Sequence, residues 1–560
     1  MCCILLSSCA KHISDSSVTP YRKPQVILHS QPLGDGGFLS RDLFRSYWTP
    51  PSSDDDLITV GVVLSEKEIR FRSDQNFLIR VYNDQSSMDI ASPGGVLWRV
   101  KDLTITRPPL IRYFAISDEV LLHQGKNPDE SKAQALRDQG FSFAKWVGPP
   151  KMDAIKKPSR LQRWFLSYHS FKDKSSADHF CGHQKNTNKL SCKVISRVGL
   201  PPQGSGILKA HQSSFVKGFE GIIEIISPDA PIEVLEVKND IMSNELSHGQ
   251  LYGPRLFIIP NAEGNFSMVQ QTQFTDYLEG VVPAETFPNA HLEALKTQAI
   301  IARTYALSHA PIEFSSMPFF TCASTRCQVY RGQKIKTSRT NMAVEQTKNL
   351  VLRERDGSFA QTYYHSVCGG HTENKVSSLG GQSVAYLKGV TDRASDQGLD
   401  LHKTHDVREF ILHPQQSYCE VSSYSPKSKY RWNKTFSHRD LRAIAKNVGL
   451  AEDLEEIEIL RRGVSGRVER MQLSTRTQKK TLYGELTIRN AFENLPSSLF
   501  VMDLHKSGSS IHTATFHGGG FGHGVGLCQI GAIGRAEKGQ SFQTILQAYY
   551  PGLILDEIVP

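Results

Sequence analysis

The stretch Asp276-Tyr277-Leu278-Glu279-Gly280-Val281-Val282-Pro283-Ala284-Glu285 sets one carboxylate, Glu285, at the end of an apolar run. Behind it comes the clearest helical pattern of the chain, His291–Leu307. There Leu292, Leu295, Ala299, Ala302 and Ala306 recur at steps of three and four. A lone acid set among Val281, Val282, Pro283 and Phe287 reads in two ways. If the apolar wall dries the carboxyl, its neutral form is favoured, its pKa rises and it becomes a proton donor. Alternatively, Glu285 sits near a helix start and complements the dipole there.

Strand-like text surrounds this centre. Leu57–Leu64, Ile69–Arg72 and Phe77–Tyr82 are short apolar or alternating runs separated by turn residues, as are Gly221–Ile226, Arg255–Ile259 and Phe266–Val269. Two more helices are predicted near the end of the chain. One runs from about Gln529 to Lys538 and stops at Gly539; the other runs from a Ser541 cap to Tyr550 and stops at Pro551. The fold class expected is α+β: a mixed catalytic domain with a central helix and C-terminal helices, preceded by β-rich material. The expected divisions are a leader or tether over 1–55, a β-rich region over 56–215 and a catalytic domain over 216–560. A polar insertion or long loop is expected at about 395–445.

The chain has 560 residues, enough for several cores. With 39% hydrophobic and 22% charged residues it has the composition of a soluble globular protein. The net charge of +9 suits an anionic partner. No Lys/Arg block is interleaved with aromatics, which argues against nucleic acid. No run approaches the roughly 18 apolar residues of a membrane span. Leu6-Ser7-Ser8-Cys9 has the look of a bacterial lipoprotein cleavage box, which would tether the protein to a membrane through a lipidated Cys9. No Lys or Arg precedes it and its apolar core is short, so a disordered, cysteine-bearing leader is the competing reading.

The ten cysteines are too sparse for a disulfide scaffold. Cys322 and Cys327, with Cys368 and His371 from Tyr363–Thr372, have spacings compatible with a Cys₃His structural zinc site. A disulfide between two of the three cysteines is the alternative. Arg303 lies off the Leu/Ala face of its helix and points either to a groove or to solvent. In His517–Gln529 the glycines suggest a backbone lying close to a substrate or to another strand. His523 within it is either a polar contact or general base, or a packed histidine in a tight turn. No GxSxG, HExxH or aspartic dyad is present.

Taken together, the ordered blocks resemble the SpoIID/LytB family. They are DYLEGVVPAE (Asp276–Glu285), ALKTQAIIARTYAL (Ala294–Leu307), CQVYRG (Cys327–Gly332), YYHSVCGGHT (Tyr363–Thr372), AYLKGV (Ala385–Val390), GGGFGHGVGLCQIGAIGRAEKG (Gly518–Gly539) and a terminal YYPG element (Tyr549–Gly552). The resemblance covers about Tyr252 to Gly552. It implies a peptidoglycan lytic transglycosylase, located in the cell envelope, that acts on glycan strands already stripped of stem peptides by an amidase partner. The family's catalytic acid falls on Glu285. No cofactor is required for that chemistry; family members sometimes bind zinc around the CQVY segment. Arg303, Gln328, Tyr330, Ser366, His523 and Gln529 are the candidates for gripping sugar hydroxyls, acetamides or lactyl carboxylates. Two other expectations compete: a non-catalytic glycan-binding protein that recruits or stimulates an N-acetylmuramoyl-L-alanine amidase, and a zinc hydrolase built on the Cys322/Cys327/Cys368/His371 set with His523.

Overall fold

The computed structural model describes residues 24–558 apart from 29–35, 47–48, 83–86, 124–127, 129, 149–161, 189, 212, 236, 239–245, 248, 310–313, 395–397 and 415. Cys9 and the lipoprotein-like box lie outside the described residues. The architecture is α+β, as the pattern predicts.

Its frame is an eight-stranded sheet. In spatial order the strands are Gln25–Leu28, Ser87–Ser92, Phe77–Tyr82, Ile222–Ile226, Arg255–Pro260, Phe266–Gln273, Leu57–Glu66 and Thr321–Cys322. Successive side chains along a strand point to opposite faces. Ile223, Ile225, Leu256, Ile258 and Met268 therefore enter one core, and Ile222, Phe257, Ile259 and Val269 enter another. The sheet is covered on both sides, so Gly221–Ile226 reads as an almost continuous apolar run rather than an alternating one. The first core also takes Phe71, Trp98, Val100 and Val234 from a six-stranded sheet, together with the helices Phe274–Glu285 and Leu292–Ser308. The second takes Phe114, Phe165 and Ile195 from a four-stranded sheet.

Three expectations need correction. The stretch read as a leader contains a paired strand, Gln25–Leu28, and a helix, Gly36–Arg45, whose Leu43 and Phe44 are buried. The boundary drawn at 215/216 is no break in the sheet, because Leu57–Glu66 pairs with Phe266–Gln273 and with Thr321–Cys322. The polar insertion is folded. Helices Thr404–Leu412 and His438–Asn447 flank the strand Arg431–Ser437, which pairs with Ser510–Gly519. Trp432, Phe436, Leu441 and Ile444 join Leu473, Phe492 and Phe516 in a separate core. The His438–Asn447 helix shows only a narrow apolar stripe but a complete capping box, Ser437 with Asp440. Sparse apolar residues that complete their core with distant strands look like a loop in sequence. The two last helices match their prediction closely, as Gln529–Glu537 and Phe542–Tyr549, the latter capped by Ser541. Among the described residues no helix is long and apolar enough to cross a membrane.

Candidate active site

Glu285 is the last residue of a helix, Phe274–Glu285, not a residue near the start of one. The run read as merely apolar is this helix, which buries Phe274, Tyr277, Leu278, Val281 and Val282 in the main core. Pro283 in its final turn contributes no N–H, and Thr286 closes the end by donating to the Val282 carbonyl at 3.1 Å. A helix C-terminus carries partial negative charge, so it disfavours a carboxylate there. The helix-start reading of Glu285 is thereby reversed. Burial pushes the Glu285 pKa up, against a pull from the Val329 N–H and from the Tyr364 hydroxyl.

The carboxyl is oriented by specific partners. Its Oε1 accepts the Val329 N–H at 2.7 Å. The Tyr364 hydroxyl also bonds it and belongs to a relay. Tyr277 Oη donates to Gln328 Oε1 at 3.3 Å, and Gln328 Nε2 donates to Tyr364 Oη at 3.3 Å, leaving the Tyr364 proton for Glu285. The backbone is held too: Gln529 Nε2 donates to the Glu285 carbonyl at 2.8 Å and to Gln298 Oε1 at 3.3 Å. Tyr305 stands edge-on to both Tyr363 and Tyr364, with centroids 6.2 and 5.9 Å away. Burial raises the Tyr305 and Tyr364 hydroxyl pKa values, with a further contribution from Glu285, so both are neutral. Two residues past the acid, Phe287 is 43% exposed and packs on Tyr424 with centroids 4.9 Å apart.

Of the residues singled out from sequence, Gln328 and Gln529 thus converge on Glu285. Ser366 lies beside them, its carbonyl accepting the Ile530 N–H at 3.1 Å. Arg303 does not join them. Its helix, Leu292–Ser308, is buried on nearly every side, and Arg303 is fully enclosed with Asp54. Tyr330 is a packing residue: its ring fills the space that a Cβ on Gly280 would enter at 2.4 Å, and its hydroxyl donates to Gln270 at 2.9 Å. His523 has both nitrogens engaged. Nε2 donates to the Tyr364 carbonyl at 3.0 Å and Nδ1 accepts the Val525 N–H at 3.0 Å. Burial lowers its pKa to about 4, so it is a neutral packed histidine rather than a general base. The glycines around it let one backbone lie on another: a Cβ on Gly526 would meet the Tyr363 carbonyl at 2.0 Å.

The Cys₃His set is not assembled. Cys322 and Cys327 form a disulfide, which leaves neither a thiolate for metal. Cys368 lies instead with Cys419, Cys528 and Asp392. His371 Nδ1 pairs with the Thr372 carbonyl at 2.7 Å. Tyr277, Tyr305, Tyr364 and the Val329 N–H are the site groups that sequence reasoning missed. The tyrosines sit inside the quoted motifs and could have been flagged; a backbone donor leaves no sequence signal.

Comparisons with known proteins bear on this site. Residues 262–353, which carry Glu285 and Gln328, match a family model described as Stage II sporulation protein. Residues 375–526 match a domain of unknown function, DUF8618. The chain is 27% identical over 368 residues to an uncharacterized protein of Brachyspira hyodysenteriae, covering 66% of this chain and 82% of that one. It is 29% identical over 305 residues to the Amidase enhancer of Bacillus subtilis, covering 50% of this chain and 40% of the relative. It is also 24% identical over 306 residues to Stage II sporulation protein D of Bacillus subtilis, covering 52% and 76% respectively.

Proposed function

Because the chain belongs to the SpoIID/LytB-like family, we propose that it is a peptidoglycan lytic transglycosylase that cleaves denuded glycan strands in cell-wall remodelling during division or sporulation-like processes. The observation that carries this reading is Glu285 itself: a half-buried carboxyl at a helix C-terminus, kept toward its neutral form by burial and aimed by Val329, Tyr364 and Gln529.

Neutral Glu285 gives its proton to the glycosidic oxygen between N-acetylmuramic acid and N-acetylglucosamine as the anomeric C–O bond breaks. The oxocarbenium-like charge is met by the Glu285 carboxylate just formed and by neighbouring carbonyl and hydroxyl dipoles. The same carboxylate then takes the proton of the muramyl primary hydroxyl, whose oxygen closes on the anomeric carbon. The product is a 1,6-anhydromuramyl end, no water is consumed, and Glu285 is returned protonated. One carboxyl therefore suffices. Exposed Phe287, backed by partly buried Tyr424, offers a stacking surface for a sugar ring. The net charge of +9 suits lactyl carboxylates freed of stem peptides. This reading puts the protein in the cell envelope, with a lipidated Cys9 as its tether and an amidase as its partner.

The match to a protein named Amidase enhancer favours a second reading, in which the chain binds denuded glycan without cutting it and recruits or stimulates an amidase. A zinc hydrolase is not supported: Cys322 and Cys327 are joined and His523 is saturated. The deciding experiment is mass spectrometry of amidase-treated peptidoglycan incubated with wild-type and Glu285→Gln protein. Anhydromuramyl ends from wild type alone are expected. Reducing ends would overturn the transglycosylase reading, and retained binding without soluble product would favour the second.

A further inference from the structure

Away from Glu285, four metal-competent side chains from distant parts of the chain meet in the interior. Cys368, Asp392, Cys419 and Cys528 are buried, and their ligand atoms all lie within 4.8 Å of one another. Cys368 Sγ is 3.5 Å from Cys419 Sγ and 3.4 Å from Asp392 Oδ2. We propose that these four residues bind one zinc ion in a closed Cys₃Asp structural site.

The spacing supports it. Tetrahedral ligands about 2.0–2.3 Å from zinc are separated from each other by about 3.3–3.8 Å, and the two separations just given fall in that range. A disulfide requires sulfurs at about 2.05 Å and would leave one of the three thiols over. Polar groups, not only apolar ones, face the sulfurs. Backbone N–H groups point at the sulfurs: Cys368 N to Cys528 Sγ at 3.1 Å, Gly531 N to Cys528 Sγ at 3.3 Å and Gly370 N to Cys368 Sγ at 3.3 Å. Ser417 Oγ lies 3.5 Å from Cys419 Sγ. Asp392 keeps Oδ2 toward the sulfurs, where it also accepts the Cys419 N–H at 3.1 Å. Its Oδ1 is fixed by Tyr549 Oη at 2.6 Å and by Arg535 Nε at 3.4 Å. Outer groups that hold a ligating carboxylate and neutralise its charge are what a metal site needs. Thiolate donors select zinc over the hard cations magnesium and calcium.

The ion would join the Tyr363–Thr372 segment, the 375–526 region and the cap of the Gln529–Glu537 helix at one point. Cys528 is that cap, and the next residue, Gln529, holds the Glu285 carbonyl. Metal there would keep the acid's backbone anchor in place, whatever reaction Glu285 performs.

The test is metal analysis of full-length protein purified without chelator. One zinc per chain is expected, lost on Cys419→Ser and on Cys368→Ser but kept on Cys327→Ser. Cobalt(II) exchanged into wild-type protein should show thiolate-to-cobalt charge-transfer absorption, and Asp392→Cys, which completes four sulfurs, should retain metal. That variant keeps the test decisive where a serine variant fails to fold. Absence of zinc and of the cobalt absorption would overturn the proposal. So would a disulfide among Cys368, Cys419 and Cys528 in an unreduced digest, or zinc that is lost with Cys327 and kept without Cys419.

Discussion

Arg303 and Asp54 form a two-pronged ion pair, with Nε to Oδ1 and Nη2 to Oδ2 both at 2.7 Å and neither side chain exposed to solvent. Arg303 Nη1 also donates to the Leu350 carbonyl at 3.1 Å, and the Asn349 side chain accepts the Asp54 N–H at 2.9 Å. The pair fastens the central helix to the segment ahead of the strand Leu57–Glu66. Removing one partner strands the other as a buried charge, which costs about 3–5 kcal/mol. Arg303→Ala should lower the denaturation midpoint accordingly, and Arg303→Lys should restore only part of it, because a lysine cannot make the fork. Unchanged stability with a raised KM for glycan would instead return Arg303 to the binding surface.

Glu285→Gln should abolish activity while making the fold slightly more stable at neutral pH, by about 0.5–1 kcal/mol. The sign follows from a folded pKa raised above the unfolded one. What the protonated acid contributes is fully present below the unfolded value and is lost as pH rises through the folded value. The glutamine variant escapes that loss, so its advantage should grow from acid to neutral pH in paired thermal melts. A variant less stable than wild type at pH 7 would contradict this.

Tyr364→Phe should move the alkaline limb of the pH–rate profile upward. The Tyr364 hydroxyl favours the ionised form of Glu285; without it the acid stays protonated to higher pH. The rate at the optimum should fall by about 10-fold, since the relay through Gln328 also loses its last member. A limb that stays put would mean that Glu285 is not the titrating acid.

In the folded protein His523 should take up no proton between pH 8 and 5. Its pKa is lowered from 6.5 to about 4, so below 6.5 the unfolded chain takes up a proton that the folded chain refuses. Its stabilising contribution is complete above 6.5 and drains toward pH 4. The stability difference between wild type and His523→Gln should therefore shrink in acid, by at most about 1.4 kcal/mol per pH unit. A difference that is flat with pH would show that the ring is protonated alike in both states.

The α+β class, the central helix and the two terminal helices were legible because each carries its own period or cap, such as Ser541 before Phe542–Tyr549. Glu285 was legible as an acid in an apolar setting, but which end of a helix it occupies was not, because Gly280 and Pro283 interrupt the helical text. The thiol cluster was illegible for a different reason. Cys419 and Cys528 stand 51 and 160 residues from Cys368, a separation that no local spacing rule reaches. Arg303 misled because its helix is buried all round, so the usual inference from an apolar stripe to a solvent face fails.

The placement of the strand Leu57–Glu66 has a consequence for biosynthesis. One of its neighbours in the sheet, Phe266–Gln273, lies roughly 200 residues further along the chain. At about 5–20 residues per second, the ribosome needs on the order of 10–40 s to supply it. Until then an apolar strand waits with an open edge, a hazard for intermolecular pairing. The nascent N-terminal third is thus the stretch where a holding chaperone matters most, and the sheet that seats Glu285's helix closes late.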